Sequence, residues 1–117
     1  DSPIQFLSRY STQDFRLGDK LIRQGQKIWA MLGAANRDPE SFTDPDRLNV
    51  ERKKNRHLAF GFGIHFCLGA PLARMEGHIA FNTLLRRLPD LQLTDVTPKR
   101  TASINRPLKS LPVTFNT

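Results

Sequence analysis

"FGFGIHFCLG", residues 60–69, is the stretch on which the reading of this chain turns. It holds the only cysteine of the 117 residues, Cys67, two positions after His65, with Phe60, Phe62 and Phe66 interleaved among Gly61, Gly63 and Gly69. Glycine admits positive φ and lets the main chain approach another body closely. Such density just before a helix suggests that a bulky flat group, or an anion, lies against the backbone. A phosphate cradle is one candidate, but the run lacks the G-x-x-x-x-G-K-[ST] pattern, and no strand leads into a dinucleotide-type glycine pattern. Zinc or an iron–sulfur cluster needs several Cys or His at short spacing, and only His57, His65 and His78 accompany Cys67.

Three readings of the cysteine remain open from the residues themselves. A Cys–His nucleophile is physically possible, because a helix start after Cys67 favours a thiolate, yet no Asn or Asp orients the histidine. A buried, inert cysteine is the plain structural alternative. Thiolate ligation of haem iron uses every part at once. The N–H groups of Leu68, Gly69 and Ala70 would face the sulfur, Phe60 and Phe66 would limit solvent, and His65 with an Arg would suit the haem propionates.

Working outward, "APLARMEGHIAFNTLLRRLPD" predicts a helix over 71–88. Pro71 suits its first turn, Leu72, Met75, Ile79, Leu84 and Leu88 recur at three-to-four-residue spacing, and Pro89 stops it. Arg86 and Arg87 fall in the last turn, where the helix dipole favours cations. Upstream, Ile4 and Phe6 alternate with Gln5. Phe15 and Leu17 precede a turn at Gly18-Asp19, and Leu21-Ile22 precede another at Gln24-Gly25, before Ile28 to Leu32. These strand-length pieces predict a small antiparallel sheet. A short helix could start at Ala34, but Pro39 and Pro45 break the run into a meandering loop of about 20 residues, pinned by Phe42 and Leu48. Leu91 and Leu93, then Ile104 and Leu108, then "LPVTF" read as short strands and turns, and no internal repeat occurs.

A hydrophobic share of 38%, a charged share of 25% and a mean hydropathy of -0.45 predict a single soluble domain over 1–117. No apolar run has the roughly 20 residues of a spanning helix, and the first residues show no signal-peptide pattern, so the expectation is a cytoplasmic chain without a membrane partner. One cysteine suits a reducing compartment. The net charge of +7 is concentrated. Residues 52–89 hold Arg52, Lys53, Lys54, Arg56, Arg74, Arg86 and Arg87 against Glu76 alone. That field suits an acidic protein surface, whereas nucleic acid is not expected, because no aromatic residues alternate with the cations on a strand.

The sequence resembles the bacterial cytochromes P450. Phe60, Gly61, Gly63, His65, Cys67 and Gly69 match the cysteine-ligand pattern F-G-x-G-x-H-x-C-x-G. "DSPIQFLSR" resembles the stretch after the K helix, "GAANRDPESF" and "DPDRLN" the meander, "APLARMEGHIAFNTLLRR" the L helix, and "RPLKSLPVTF" the C-terminal hairpin. The resemblance implies an α+β segment, the C-terminal part of that mainly helical fold. It implies haem (iron protoporphyrin IX) as cofactor, with Cys67 as iron ligand and Phe60 beside the sulfur. Leu68, Gly69 and Ala70 would offer N–H groups, and His65 and Arg9 would bind propionates. Ile4, Gln5, Phe6 and Ile104 would approach a small organic substrate. Arg52, Lys53, Lys54, Arg56 and Arg74 would steer an acidic ferredoxin or flavodoxin.

Two positions depart from the family pattern. Its I-P-x-G reads Ile22-Arg23-Gln24-Gly25, and its P-x-R-F reads Pro45-Asp46-Arg47-Leu48. The I-helix acid and threonine, and the K-helix Glu-x-x-Arg that pairs with the arginine matching Arg47, do not occur in these residues. The implied protein type is therefore an oxygen-activating monooxygenase, of which this chain carries the proximal haem-ligand region. The alternative is a non-catalytic haem-binding or vestigial truncated protein, whose exposed core would self-associate.

Overall fold

Residues 7–30 fold as one hairpin nested inside another. The computed structural model describes residues 2–101, 103, 105 and 107–116, and the chain divides into two compact units, Asp1–Ala59 and Phe60–Thr117. In the first, β1 (Leu7–Tyr10) pairs antiparallel with β4 (Lys27–Ala30), Leu7 opposite Ala30 and Tyr10 opposite Lys27. The ladder runs one step further, since the Ser11 N–H donates to the Gln26 carbonyl (3.0 Å) and the Gly25 N–H to the Ser11 carbonyl (2.8 Å). Between them, β2 (Phe15–Leu17) and β3 (Lys20–Ile22) form the inner hairpin. Its two-residue loop opens on Gly18 at φ +59°, the left-handed first position that a II′-type turn requires of glycine.

The sheet expected from the sequence is present as two-stranded ladders. Its first strand is shifted: Ile4–Phe6 lies outside any strand, because the Gln5 carbonyl accepts the Gly33 N–H (2.9 Å) and its side-chain amide donates to the Ser2 carbonyl. The Phe6 ring instead meets Trp29 edge-on at 4.9 Å, and Lys27 Nζ lies 4.3 Å from the Trp29 ring centre. Leu32 starts a single-turn helix, α1 (Leu32–Ala35), rather than ending a strand.

The meander follows without regular structure. Phe42 is buried as expected, but Leu48 is 89% exposed and pins nothing. The turn closed by Arg47 N–H on the Asp44 carbonyl (3.1 Å) carries it outward.

In the second unit, α2 (Ala70–Arg87) carries Pro71 in its first turn and ends where the Leu88 N–H donates to the Leu84 carbonyl (2.8 Å). At 3.6 residues per turn the apolar residues of α2 do not make one stripe. Leu72, Met75 and Ile79 line one side, while Phe81, Leu84, Leu85 and Leu88 line the other. Leu72, Met75, Ile79, Phe81 and Leu85 are each more than half exposed. A helix apolar on two sides is one suited to cover on both. β5 (Gln92–Leu93) pairs with β6 (Val113–Thr114), and Arg100 bridges Leu108. Ile104, expected at the substrate edge, lies outside the described residues.

Candidate functional site

The loop 60–69 is built almost entirely from main chain. Gly61 (φ +74°) and Gly63 (φ +66°) supply two left-handed turns, and residues Gly63–His65 form one 3-10 turn closed by the Phe66 N–H on the Gly63 carbonyl (3.0 Å). The turn brings the His65 carbonyl back over Gly61, where a Cβ would stand 3.3 Å from its oxygen. The chain then passes Phe60 again, and the Cys67 N–H donates to the Phe60 carbonyl at 2.8 Å. On the other side the Ala70 N–H donates to the Cys67 carbonyl at 3.2 Å, joining the cysteine to the start of α2. Gly69 leaves room beside the sulfur, its would-be Cβ 3.8 Å from Cys67 Sγ.

Cys67 is thus held by its backbone and exposed at its thiol. The side chains around it face outward too: Phe62 is 85%, Ile64 99% and Leu68 97% exposed. Exposed apolar residues packed so densely mark a surface meant to be covered. Phe60 is half-buried, with the Phe66 ring 6.3 Å away and tilted by 59°, and the Arg74 guanidinium 4.9 Å from its ring centre. His65 stands exposed in the 3-10 turn.

These residues fit a haem. Among the described residues no three His, Cys, Asp or Glu side chains gather where a bare metal ion could be held. One outward thiol in an apolar surround matches instead a metal that brings its other ligands in a flat macrocycle. The crossing glycines Gly61 and Gly63 remove the side chains that would hold such a plane away from the backbone.

The remaining sequence candidates belong to the first unit or to α2. Ile4, Gln5 and Phe6 are half-buried beside α1, and Arg9 is exposed on β1, its Nη1 donating to the Ser8 carbonyl (2.8 Å). Lys53, Lys54 and Arg56 are exposed. Arg52 is engaged differently: its guanidinium donates to the carbonyls of Thr43 (2.5 Å) and Asp44 (3.3 Å) and clasps the meander. Arg74 likewise does more than carry charge, since it stacks on Phe60. The sequence shows both as cations in a basic run. Their second partners depend on how two irregular loops turn back, which no periodicity records.

Comparison with known proteins bears on this geometry. The cytochrome P450 family model matches residues 2–111. A polyketide biosynthesis cytochrome P450 of Bacillus subtilis is 47% identical over 98% of this chain, and so is a biotin biosynthesis cytochrome P450 of the same bacterium. The chain spans 29% of the length of each of these curated relatives. Among solved structures, P450BioI in complex with an acyl carrier protein ligated to hexadec-9Z-enoic acid superposes with a TM-score of 0.94 at 46% identity, over 99% of this chain and 30% of that one. A testosterone complex of a Bacillus megaterium cytochrome P450 superposes at 0.92, with 40% identity over 99% of this chain and 33% of that one.

Proposed function

The chain belongs to the cytochrome P450 family, with the mainly helical fold and small antiparallel sheets of its solved members, and from that premise we propose that it is the proximal haem-ligating part of an oxygen-activating monooxygenase. The observation that carries the reading is Cys67: held through its backbone by Phe60 and Ala70, and exposed in a loop whose Phe62, Ile64 and Leu68 are exposed with it. When bound, a thiolate-ligated haem would supply O–O cleavage, so that two electrons, two protons and O2 would leave one oxygen in an organic substrate and the other in water.

The chain's own residues hold and orient that group. Cys67 would ligate the haem iron through its sulfur. Phe60 and Phe66 would limit solvent at the sulfur once the group is bound, and Gly61, Gly63 and Gly69 would let a flat plane approach the main chain. Leu68 and Gly69 would offer N–H groups to the sulfur, whereas the Ala70 N–H, expected to do the same, donates to the Cys67 carbonyl and joins the ligand to α2. His65 would bind a haem propionate, and Arg9, in the first unit, is assigned the same role by its charge and by the family resemblance alone. Ile4, Gln5 and Phe6 would edge the substrate space. The carrier-bound fatty acid of the P450BioI complex makes a carrier-tethered acyl chain the first substrate class to try. Electrons would arrive from an acidic ferredoxin or flavodoxin steered by the exposed Lys53, Lys54 and Arg56 of the first unit, where Arg52 is held by the Thr43 and Asp44 carbonyls, and Arg74 of the second unit is assigned the same role by its charge. Residues 1–117 act as one segment of a P450 domain in the cytoplasm. Among the described residues no helix is long and apolar enough to cross a membrane.

The test is haem uptake and the red-shifted Soret band of the reduced, carbon monoxide-treated protein. It is read on this chain and on a chimaera in which it replaces the matching segment of the polyketide biosynthesis relative. Cys67→Ser should abolish the thiolate-type band in the chimaera. A variant that keeps it would overturn the ligand assignment. Salt should weaken donor coupling, as should charge reversal at Lys53 and Lys54.

A second reading, a non-catalytic haem-binding chain that self-associates, is favoured by the exposed Leu72, Met75, Phe81 and Leu85 of α2. Haem uptake by the isolated chain as a stable dimer, without turnover in the chimaera, would select it.

A further inference from the structure

Cys67 is tied to Phe60 by its N–H bond to the Phe60 carbonyl (2.8 Å), and the Phe60 ring is in turn faced by the Arg74 guanidinium, 4.9 Å from its centre. Arg74 projects from α2, which itself begins three residues after Cys67. The loop is therefore closed at both ends onto one helix: by the Ala70 N–H bond to the Cys67 carbonyl (3.2 Å), and by the cation over the ring. We infer that Arg74 is a positioning residue for Cys67, acting through Phe60. What Cys67 binds rests on the reading proposed above; the linkage from Arg74 to Phe60 to Cys67 does not, and it is measurable on the chain without any ligand.

The physical basis is direct. An arginine over an aromatic face is attracted by the ring quadrupole, and its planar guanidinium stacks as well as charges. Left-handed glycines at 61 and 63 carry no side chain that could anchor the segment after Phe60, and the Phe60 ring, on the residue whose carbonyl accepts the Cys67 N–H, is a large side chain that α2 can hold. Gripping the ring limits rotation about the Phe60 backbone and keeps its carbonyl aimed at Cys67.

The experiment is amide hydrogen exchange at Cys67 in the full chain, paired with the alkylation rate of its thiol, which is unambiguous because the chain has no other cysteine. Arg74→Gln should speed exchange at Cys67 by about 2- to 5-fold, the range expected for losing an exposed cation–π contact. Amides in the middle of α2 should not change. Arg74→Lys, which keeps a cation, should fall between. In a Phe60→Leu background, Arg74→Gln should add nothing further. An unchanged Cys67 rate in Arg74→Gln overturns the inference. So does equal acceleration along α2, or the same acceleration when Phe60 is already gone. Because none of these readouts involves haem, failure of the linkage is distinguishable from failure of the haem-ligand reading.

Discussion

The meander, residues 36–58, and the cysteine loop, residues 60–69, are both irregular, yet they are stabilised in opposite ways. The meander spends its polar side chains on its own backbone. Asn36 Oδ1 accepts the Leu58 N–H (2.7 Å), Asp38 Oδ1 that of Glu40 (2.9 Å) and Asn49 Oδ1 that of Glu51 (2.9 Å), while Arg52 donates to Thr43 and Asp44. The cysteine loop uses main-chain bonds and left-handed glycines, and turns Phe62, Ile64 and Leu68 to the outside. A loop whose side chains satisfy its own backbone is architecture. One that presents apolar side chains and a thiol outward is shaped for something that covers it.

The sharpest way to break this contrast is at the glycines. Gly61→Ala forces a left-handed alanine whose Cβ meets the His65 carbonyl, and should cost about 1–3 kcal/mol. Gly63→Ala has a similar φ but open space, and should cost about 1–2 kcal/mol. Denaturant unfolding followed by the circular dichroism of α2 measures both. Equal costs would mean that the His65 contact adds nothing and that φ alone shapes the loop.

Next comes Asn36, on the other side of the comparison. Asn36→Ala removes the acceptor for the half-buried Leu58 N–H and should destabilise the first unit by about 1–2 kcal/mol, read by Trp29 fluorescence on denaturation. Asn36→Asp keeps an acceptor oxygen and should recover most of that. Arg52→Ala should cost about 1 kcal/mol, with little recovery by lysine, because one ammonium does not reproduce a fork spanning two carbonyls. If the meander tolerates both Asn36→Ala and Arg52→Ala, its side-chain bonds are incidental and the contrast fails.

The two loops also differ in what their sequence discloses. Glycine types state their backbone use directly, so the turns of the cysteine loop and the helix after it could be read from residues 60–88, the helix bounds within a residue of the structure, whereas the residues themselves left the use of Cys67 open. The hairpin at Gly18-Asp19 was readable for the same reason. Arg52 could not be assigned to its carbonyls, because a cation in a basic run carries no signal of which loop will curl beneath it. The pin at Leu48 misled because hydrophobicity in an irregular segment lacks the period that tells inside from outside. The same limit hid the two-sided character of α2, where steps of three and four on either side were read as one stripe although the five-residue step from Ile79 to Leu84 carries it across the helix.

A smaller effect tests polar bonding in the nested hairpin. Asp14 accepts the Gln24 N–H at 2.8 Å and Arg23 Nη1 at 2.7 Å, and these two bonds, the backbone one first, hold its carboxyl below the ordinary carboxylate range. A carboxylate whose pKa is lowered by folding adds stability that is fully present above its unfolded value and is lost as pH falls through the lowered folded value. Asp14→Asn should therefore flatten part of the acid limb of the stability–pH curve, while leaving the neutral limb nearly parallel to that of the unaltered chain. An unchanged acid limb would remove Asp14 from the set of bonds that hold this unit.

The smallest stability effect is the most telling for function. Ile64 and Leu68 are almost wholly exposed, so Ile64→Ser and Leu68→Ser should change the unfolding free energy of the chain by less than about 0.5 kcal/mol, as for surface positions generally. If these side chains lie against a bound haem, the same substitutions should weaken haem retention in the chimaera, because each would place a hydroxyl where apolar surface was to be buried. Serine at Leu48, equally exposed but in the meander, should do neither. Measuring unfolding and haem transfer to a scavenger protein on the three variants separates exposure that is idle from exposure that is used. Were Leu48→Ser to speed haem loss as much as Leu68→Ser, outward apolar residues in the two loops would be equivalent, and the division between an architectural loop and a ligand loop would collapse.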